Sequence, residues 1–240
     1  MGWIDIHCHI LPGLDDGSKN MEQTERMLRI AYSEGIRTMI TTPHNYASHR
    51  SASPETIRKT VAQVNAFAKE KNIGITLYPG NEIFYRQGVG ELIEQGKILT
   101  MADSNYVLVE FYPNCDYQYL RAGIQELQQY GYEVILAHAE RYDCLYEKKG
   151  RLQDLHASGV LIQVNASSFL ASFGAAWRKR SRSLLKQDLI RFLGTDAHNE
   201  DSRSPKLDAA AKFLFKKVGA KQAEALLYQN AKKEILTKGN

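Results

Sequence analysis

Seven short apolar runs, rich in β-branched residues, alternate with helical segments along almost the whole chain: 3–6, 36–42, 74–79, 106–111, 132–138, 159–165 and 190–195. Runs of this length and composition read as strands buried on both faces. Strict alternation with helices then requires a parallel sheet joined by right-handed crossovers. Helices are expected at 20–34, ending at Gly35, and from Ser53-Pro54, an N-cap with proline at the first helical position, to about 72. Further helices are expected at 88–96, 117–130, 147–158, within 175–188, and at 205–217 and 221–236. No Gly/Ser linker, low-complexity tract or composition break interrupts the pattern, so residues 1–240 are expected to form one domain.

Polar residues at the strand ends decide between an open sheet and a closed one. His7 and His9 end the first strand, His44 follows the second, Glu82 follows the third and Glu110 ends the fourth. His138 ends the fifth, Asn165 the sixth, and Asp196 and His198 follow the seventh. In an open sheet the two edges are too far apart to share a site, whereas in a barrel all strand C-termini converge on one mouth. Ligand-type residues on both the first and seventh strands favour closure. The expected fold is therefore α/β, a distorted seven-stranded (β/α)7 TIM-like barrel.

Within "DIHCHILPGLDDG" (5–17), residues two apart share a strand face. Asp5, His7 and His9 would thus point one way and Cys8 the other. Two imidazoles on one face suit a divalent ion, with Asp5 placed to orient a ligand histidine from behind. The candidates His7, His9, Asp16 (or Asp15), His44, Glu82, Glu110, His138, Asp196 and His198 are too many for one metal. They suffice for two or three ions bridged by a carboxylate. Imidazole and carboxylate without thiolate suit Mn, Fe or Zn more than a structural zinc site, with Mg also open.

Composition excludes several classes. A net charge of +4 over 240 residues gives no nucleic-acid signature, and no apolar run reaches membrane-spanning length. The absence of a basic-then-apolar leader and three sparse cysteines, Cys8, Cys115 and Cys144, point to a cytoplasmic protein without a disulfide framework. The basic run 178–186 reads as a solvated helix face.

The motifs "DIHCHILPGLDDGS", "TTPHN", "GNEI", "LVEF", "HAERY" and "TDAHN" resemble, in order and spacing from residue 3 to about 205, the polymerase-and-histidinol-phosphatase (PHP) superfamily. The match is closest to its bacterial manganese-dependent protein-tyrosine phosphatases of the CpsB/CapC/YwqE type, encoded with capsule and exopolysaccharide genes. The resemblance implies three Mn2+ ions: one at His7, His9, Glu82 and Asp196, a second at Glu82, Glu110 and His138, and a third at Asp16, His44 and His198. Spacing does not choose between Asp15 and Asp16; the resemblance places the ligand immediately before Gly17. Where this branch often has proline after the strand-five histidine, the chain has Ala139, which removes no ligand.

Clustered divalent ions suit phosphate monoesters, and phosphoryl transfer needs fixed positive charge on the equatorial oxygens. Arg141, three residues after His138, and Arg203, five after His198, sit on loops at the mouth. The resemblance implies that both bind phosphate, with Arg141 stabilising the transition state. His49 and Arg50 are further candidates for substrate contact. The implied substrate is a phosphotyrosine protein, the autophosphorylated bacterial tyrosine kinase that controls polysaccharide export. Histidinol phosphate or another small phosphomonoester is the alternative, and a metal-stabilised scaffold without catalysis is the rival of another class. Amidohydrolases commonly need a lysine after strand four and a histidine after strand six, where this chain has Glu110 and Asn165. Cys115 and Arg121 mimic the spacing of cysteine-based phosphatases, but the intervening "DYQYL" lacks the small residues a phosphate cradle needs. Cys8 is expected to be a buried apolar filler, His156 to be exposed on a helix, and Asn165 to hydrogen-bond near the site.

Overall fold

The structure, a computed structural model, describes residues 2–46, 51–170 and 174–237. Among these, nine parallel strands alternate with seven α-helices: β1 (Trp3–Cys8), α1 (Met21–Ser33), β2 (Ile36–Thr41), β3 (His44–Asn45), α2 (Pro54–Glu70), β4 (Thr76–Pro79), β5 (Glu82–Phe84) and α3 (Val89–Glu94). There follow β6 (Tyr106–Glu110), α4 (Tyr117–Gln129), β7 (Glu133–Leu136), α5 (Arg151–Ala157), β8 (Leu161–Asn165), α6 (Ala175–Lys186), β9 (Ile190–Gly194) and α7 (Asp208–Glu224). Helix starts follow the capping signals in the sequence: Ser53 accepts from the Thr56 N–H ahead of Pro54, and Asn20 from the Gln23 N–H. The helices expected at 205–217 and 221–236 meet at Gly219, whose φ of +77° breaks α7; wider turns continue to Leu236.

Nine strands stand where seven were expected because two of the seven are interrupted. Strand two stops at Thr42-Pro43, where proline supplies no N–H for a ladder, and resumes as β3. Strand three breaks at Gly80-Asn81, where Asn81 donates to the Pro43 carbonyl (2.8 Å) and accepts from the Leu99 N–H (3.0 Å). The breaks divide the strands into one sheet ordered β1-β2-β4 and a second ordered β3-β5-β6-β7-β8-β9. They also set His44 opposite Glu82 in the second sheet.

At the remaining seam β1 lies beside the end of β9. The pairing there narrows to a bridge between Cys8 and Ala197, with the His9 N–H donating to the Ala197 carbonyl and the Asp196 N–H to the His7 carbonyl, both at 2.8 Å. Gly194 permits this approach, since a Cβ there would overlap the His7 side chain. First and last strands thus present their C-terminal ends to one another.

The packing is two-sided. One apolar cluster joins the helices to the outer sheet surface through Met39, Val107, Val109, Val134 and Leu136. The other gathers Ile4, Ile6, Ile40, Leu108, Ile135 and Phe192 with Ala231 and Ile235 from the C-terminal segment. This second cluster lies among the strands beneath the polar strand ends.

Candidate metal centre

All nine ligand candidates converge on those strand ends. The His7 and His9 Nε2 atoms lie 3.2 Å apart, and each is 3.2 Å from Glu82 Oε2. Asp196 Oδ1 stands 3.7 and 3.6 Å from the same two nitrogens. His44 Nδ1 is 3.0 Å from both Glu82 Oε2 and Glu110 Oε1, and His138 Nε2 is 2.9 Å from Glu82 Oε1. On the outer side, Asp16 Oδ1 is 3.4 Å from both His44 Nε2 and His198 Nε2. Three groups of donors lie close enough to share an ion: His7/His9/Glu82, His44/Glu82/Glu110 and His9/Asp16/His44/His198.

The donor set fits metal ions on two counts. Ligands about 2.1 Å from a common ion at near-right or tetrahedral angles are separated by about 3.0–3.4 Å, the spacing found here. Moreover, His44 Nδ1, Glu82 Oε2, Glu110 Oε1 and His198 Nε2 are buried without a hydrogen-bond partner, although His44 Nδ1 is 3.0 Å from the two carboxylate oxygens. Buried polar atoms in native proteins are almost always paired, so a cluster of such orphans calls for a cation. His138 and Asp196 also adopt left-handed backbone, with φ of +34° and +52°. Such positions cost about 1–3 kcal/mol each and persist where the surroundings hold them.

Charge agrees with this chemistry. Burial penalises the Glu82 carboxylate, but His7, His138 and His44 hold it well below the ordinary value. Asp196 is lowered likewise, its burial outweighed by His7 and Arg141. The imidazoles of His198 and His44, each 3.4 Å from its Oδ1, lower Asp16. Burial opposes charging of His9, yet Asp15 and Glu82 hold its imidazolium up to about 9. In ion-free protein these protons stand where cations would compensate the carboxylates.

Residues around the donors fix their orientation. Asp15, which spacing could not separate from Asp16, has a different role. Its Oδ2 lies 2.7 Å from His9 Nδ1 and accepts from the His44 N–H. Asp16 is the one beside His44 and His198. Gly17, which follows them, cannot carry a side chain, because a Cβ would overlap the His9 carbonyl oxygen. Gln163 Oε1 lies 3.2 Å from His7 Nδ1 and accepts from the His138 N–H; its amide donates to Asn165, which donates to Asp196 Oδ2 at 2.8 Å. Gln163 was missed in the sequence, although it is a buried amide inside an otherwise apolar run.

Asp5 requires a correction. It does not reach an imidazole; it accepts from the Thr195 N–H (2.9 Å) and hydroxyl (2.5 Å) and from the His7 N–H (3.2 Å). The cause is a register shift between Asp5 and Cys8, which breaks the simple two-residue alternation assumed for β1. Asp5 therefore ties β1 to the end of β9. Burial, against those hydrogen bonds, pushes its carboxyl up to about 6.

Both arginines reach the centre. Arg141 Nη2 is 2.9 Å from Asp196 Oδ2, and Arg203 Nη2 is 2.7 Å from Asp196 Oδ1. The Trp177 ring lies 5.2 Å from the Arg141 guanidinium, and Arg141 Nε is a buried donor without an acceptor. His49 and Arg50 lie outside the described residues. Cys8 is fully buried, as expected, its thiol donating to the Ile40 carbonyl. The Cys115 thiol contacts Cys144, and this contact and burial raise its pKa, the wrong direction for a nucleophile. His156 is exposed on α5. The basic run is only partly a solvated face: Arg180 pairs with Asp143 at 2.7 Å, and Arg182 donates to the Phe169 carbonyl at 3.1 Å.

Glu140, beside Arg141, is fully buried; its Oε1 accepts from the Ser168 hydroxyl (2.6 Å) and the Asn165 N–H (3.1 Å). Burial raises its carboxyl above the ordinary 4.5, against the Ser168 bond and Arg141. Stability from a raised carboxyl is full below the unfolded value and is lost as pH rises through the folded one. Glu140→Gln keeps an acceptor and removes the charge. It should unfold at a higher temperature than the parent at about pH 8, with the gap closing towards pH 4.5. A lower melting temperature at about pH 8 would contradict this.

A family model for capsular polysaccharide synthesis, CpsB/CapC, matches residues 3–236. The chain belongs to the CpsB/CapC family. Tyrosine-protein phosphatase CpsB of Streptococcus pneumoniae is 33% identical to it over 238 residues, covering 97% of this chain and 98% of the relative. Tyrosine-protein phosphatase YwqE of Bacillus subtilis (strain 168) is 32% identical over 228 residues, covering 95% and 89%. A solved structure, from work describing YwqE and CpsB as unique metal-dependent tyrosine phosphatases, superposes with a TM-score of 0.91 at 31% identity, covering 98% of this chain and 94% of that one. The phosphotriesterase homology protein of Escherichia coli shares the fold at a TM-score of 0.60 and 11% identity, covering 98% of each chain. The parallel α/β architecture of this CpsB/CapC chain is thus common to metal-dependent phosphatases and to more distant proteins. No helix among the described residues is long and apolar enough to cross a membrane.

Proposed function

We propose that this chain is a metal-dependent protein-tyrosine phosphatase, with Mn2+ as its ion, acting on phosphotyrosine in a partner protein. One observation carries the reading: two guanidinium groups meet beside a donor cluster suited to several cations, in a chain about a third identical over its length to proteins named tyrosine-protein phosphatases. His7, His9, Glu82 and Asp196 would hold one ion, Glu82, Glu110 and His138 a second, and Asp16, His44 and His198 a third. Bound there, the ions would supply an acidified water and neutralise the attacking and leaving oxygens of an in-line displacement.

The chain's own groups do the rest. Arg141 and Arg203 bind the equatorial phosphate oxygens, and the unpaired Arg141 Nε offers a further buried donor. Trp177 stacks on Arg141 and keeps the fork aimed at the mouth. Asn165 and Gln163 hold Asp196 and His7 while charge builds up on the substrate. A structural metal site needs no such anion clamp, which weighs against a non-catalytic scaffold. The partner that fits a capsule-synthesis family is an autophosphorylated bacterial tyrosine kinase, and the three free cysteines suit the reducing cytoplasm. The test is phosphate release by Mn-loaded protein from a phosphotyrosine peptide and, in parallel, from histidinol phosphate. A large preference in kcat/KM for the peptide is expected; a preference for histidinol phosphate would assign the chain to small phosphomonoesters instead.

A further inference from the structure

Three aromatic side chains repeat one spacing beside the centre. Tyr46 follows His44 by two residues, Phe84 follows Glu82 by two, and Tyr112 follows Glu110 by two. Strands β3, β5 and β6 are neighbours in the second sheet, with His44 opposite Glu82 and Phe84 opposite Glu110. Residues two apart on a strand share a face, so Phe84 stands about 6.6 Å beyond Glu82 and level with Glu110, while Tyr46 and Tyr112 lie one and two residues past the ends of β3 and β6. The intervening Ile83 and Phe111 are buried in the core behind them. The rings form a continuous row: Tyr46 stacks on His44 with centroids 4.8 Å apart, Phe84 lies 5.6 Å from Tyr46, and Tyr112 meets Phe84 edge-on at 4.5 Å. Tyr46 is 41% exposed and Tyr112 62% exposed. The two arginines enter from loops beyond β7 and β9, further along the same six-stranded sheet.

We propose that Tyr46, Phe84 and Tyr112 form the wall on which the aryl ring of the phosphotyrosine side chain packs while its phosphate lies at the centre. This rests on the phosphatase reading and adds to it how the tyrosyl leaving group is selected. In an aryl phosphate the ring follows the ester oxygen directly, so a phosphate held beside Glu82 carries its ring outward past that residue, towards the row. Offset or edge-on aromatic contact is favourable beyond the area it buries. A phosphoserine side chain offers nothing flat at that level. The row is continuous with the centre through the His44–Tyr46 stack, and an exposed apolar patch of this kind suits a binding face.

The test compares Mn-loaded wild type with Tyr112→Ala, Phe84→Ala and Tyr112→Phe on two peptides of identical flanking sequence, one bearing phosphotyrosine and one phosphoserine. The ratio of kcat/KM for the two should fall about tenfold in each alanine variant, from loss of one or two ring contacts. Tyr112→Phe, which keeps the ring, should retain the wild-type ratio. Tyr112 is exposed, so its variants carry little risk to folding. A wild-type ratio in Tyr112→Ala, in protein that still hydrolyses phosphotyrosine, overturns the wall and leaves the phosphatase reading intact. No phosphate release from either peptide by Mn-loaded wild type overturns that reading, and the wall with it.

Discussion

Glu82→Ala is expected to strip metal from the two donor groups that contain Glu82 and to lower turnover by more than about 100-fold. Loss of an outer partner of a metal ligand already costs about 10–100-fold, and Glu82 is no outer partner. Its two oxygens lie within 3.2 Å of His7, His9, His44 and His138, and it belongs to two of the three donor groups. Removing it therefore breaks the link between sites rather than one site. Metal analysis of the purified variant checks the first half, and thermal unfolding checks it independently. An ion that binds only the folded state stabilises it by about 2.7 kcal/mol at a hundredfold excess over Kd, so Mn2+ should raise the melting temperature of wild type clearly more than that of Glu82→Ala. Equal metal content in the two proteins would remove Glu82 from its proposed place.

Arg141→Ala is expected to lower kcat by about 10²–10³-fold, the cost of removing one donor that acts on transition-state charge, while metal content stays at the wild-type level. Arg141→Lys should recover little, because a compact ammonium cannot reproduce a two-pronged contact or the stack on Trp177. Arg203→Ala should cost less. The Arg203 side chain is 37% exposed against 22% for Arg141, and a more solvated charge interacts more weakly. A loss at Arg203 exceeding that at Arg141 would reverse these roles.

Much of this architecture was legible from local pattern. Apolar runs gave the strands and capping residues gave the helix starts, because both depend on near neighbours in sequence. The nine ligand candidates could be collected because the C-terminal ends of parallel strands lie on one side of their sheets, and the structure brings them together. What escaped is set by contacts distant in sequence or by local irregularity. The break at Gly80-Asn81 is held by contacts with other segments, Asn81 bonding the Pro43 carbonyl and the Leu99 N–H. Asp5 departs from simple alternation because the register shift in β1 arises in its pairing with β2. Asp15 and Asp16 carry the same chemistry, and only the fold of their loop sends one to His9 and the other to His44 and His198. Gln163 looked like one polar residue in an apolar strand, yet it bonds His7 from 156 residues away.

On the proposed reading, catalysis resides in metal held by these strand ends and in no cysteine. The most direct measurement follows phosphate release from a phosphotyrosine peptide by one preparation as bound metal is removed with a chelator and then restored with Mn2+, with Cys115→Ser run alongside. Activity should vanish with the metal and return with it, and Cys115→Ser should match wild type throughout. Activity that survives complete metal removal but is lost in Cys115→Ser would contradict the account.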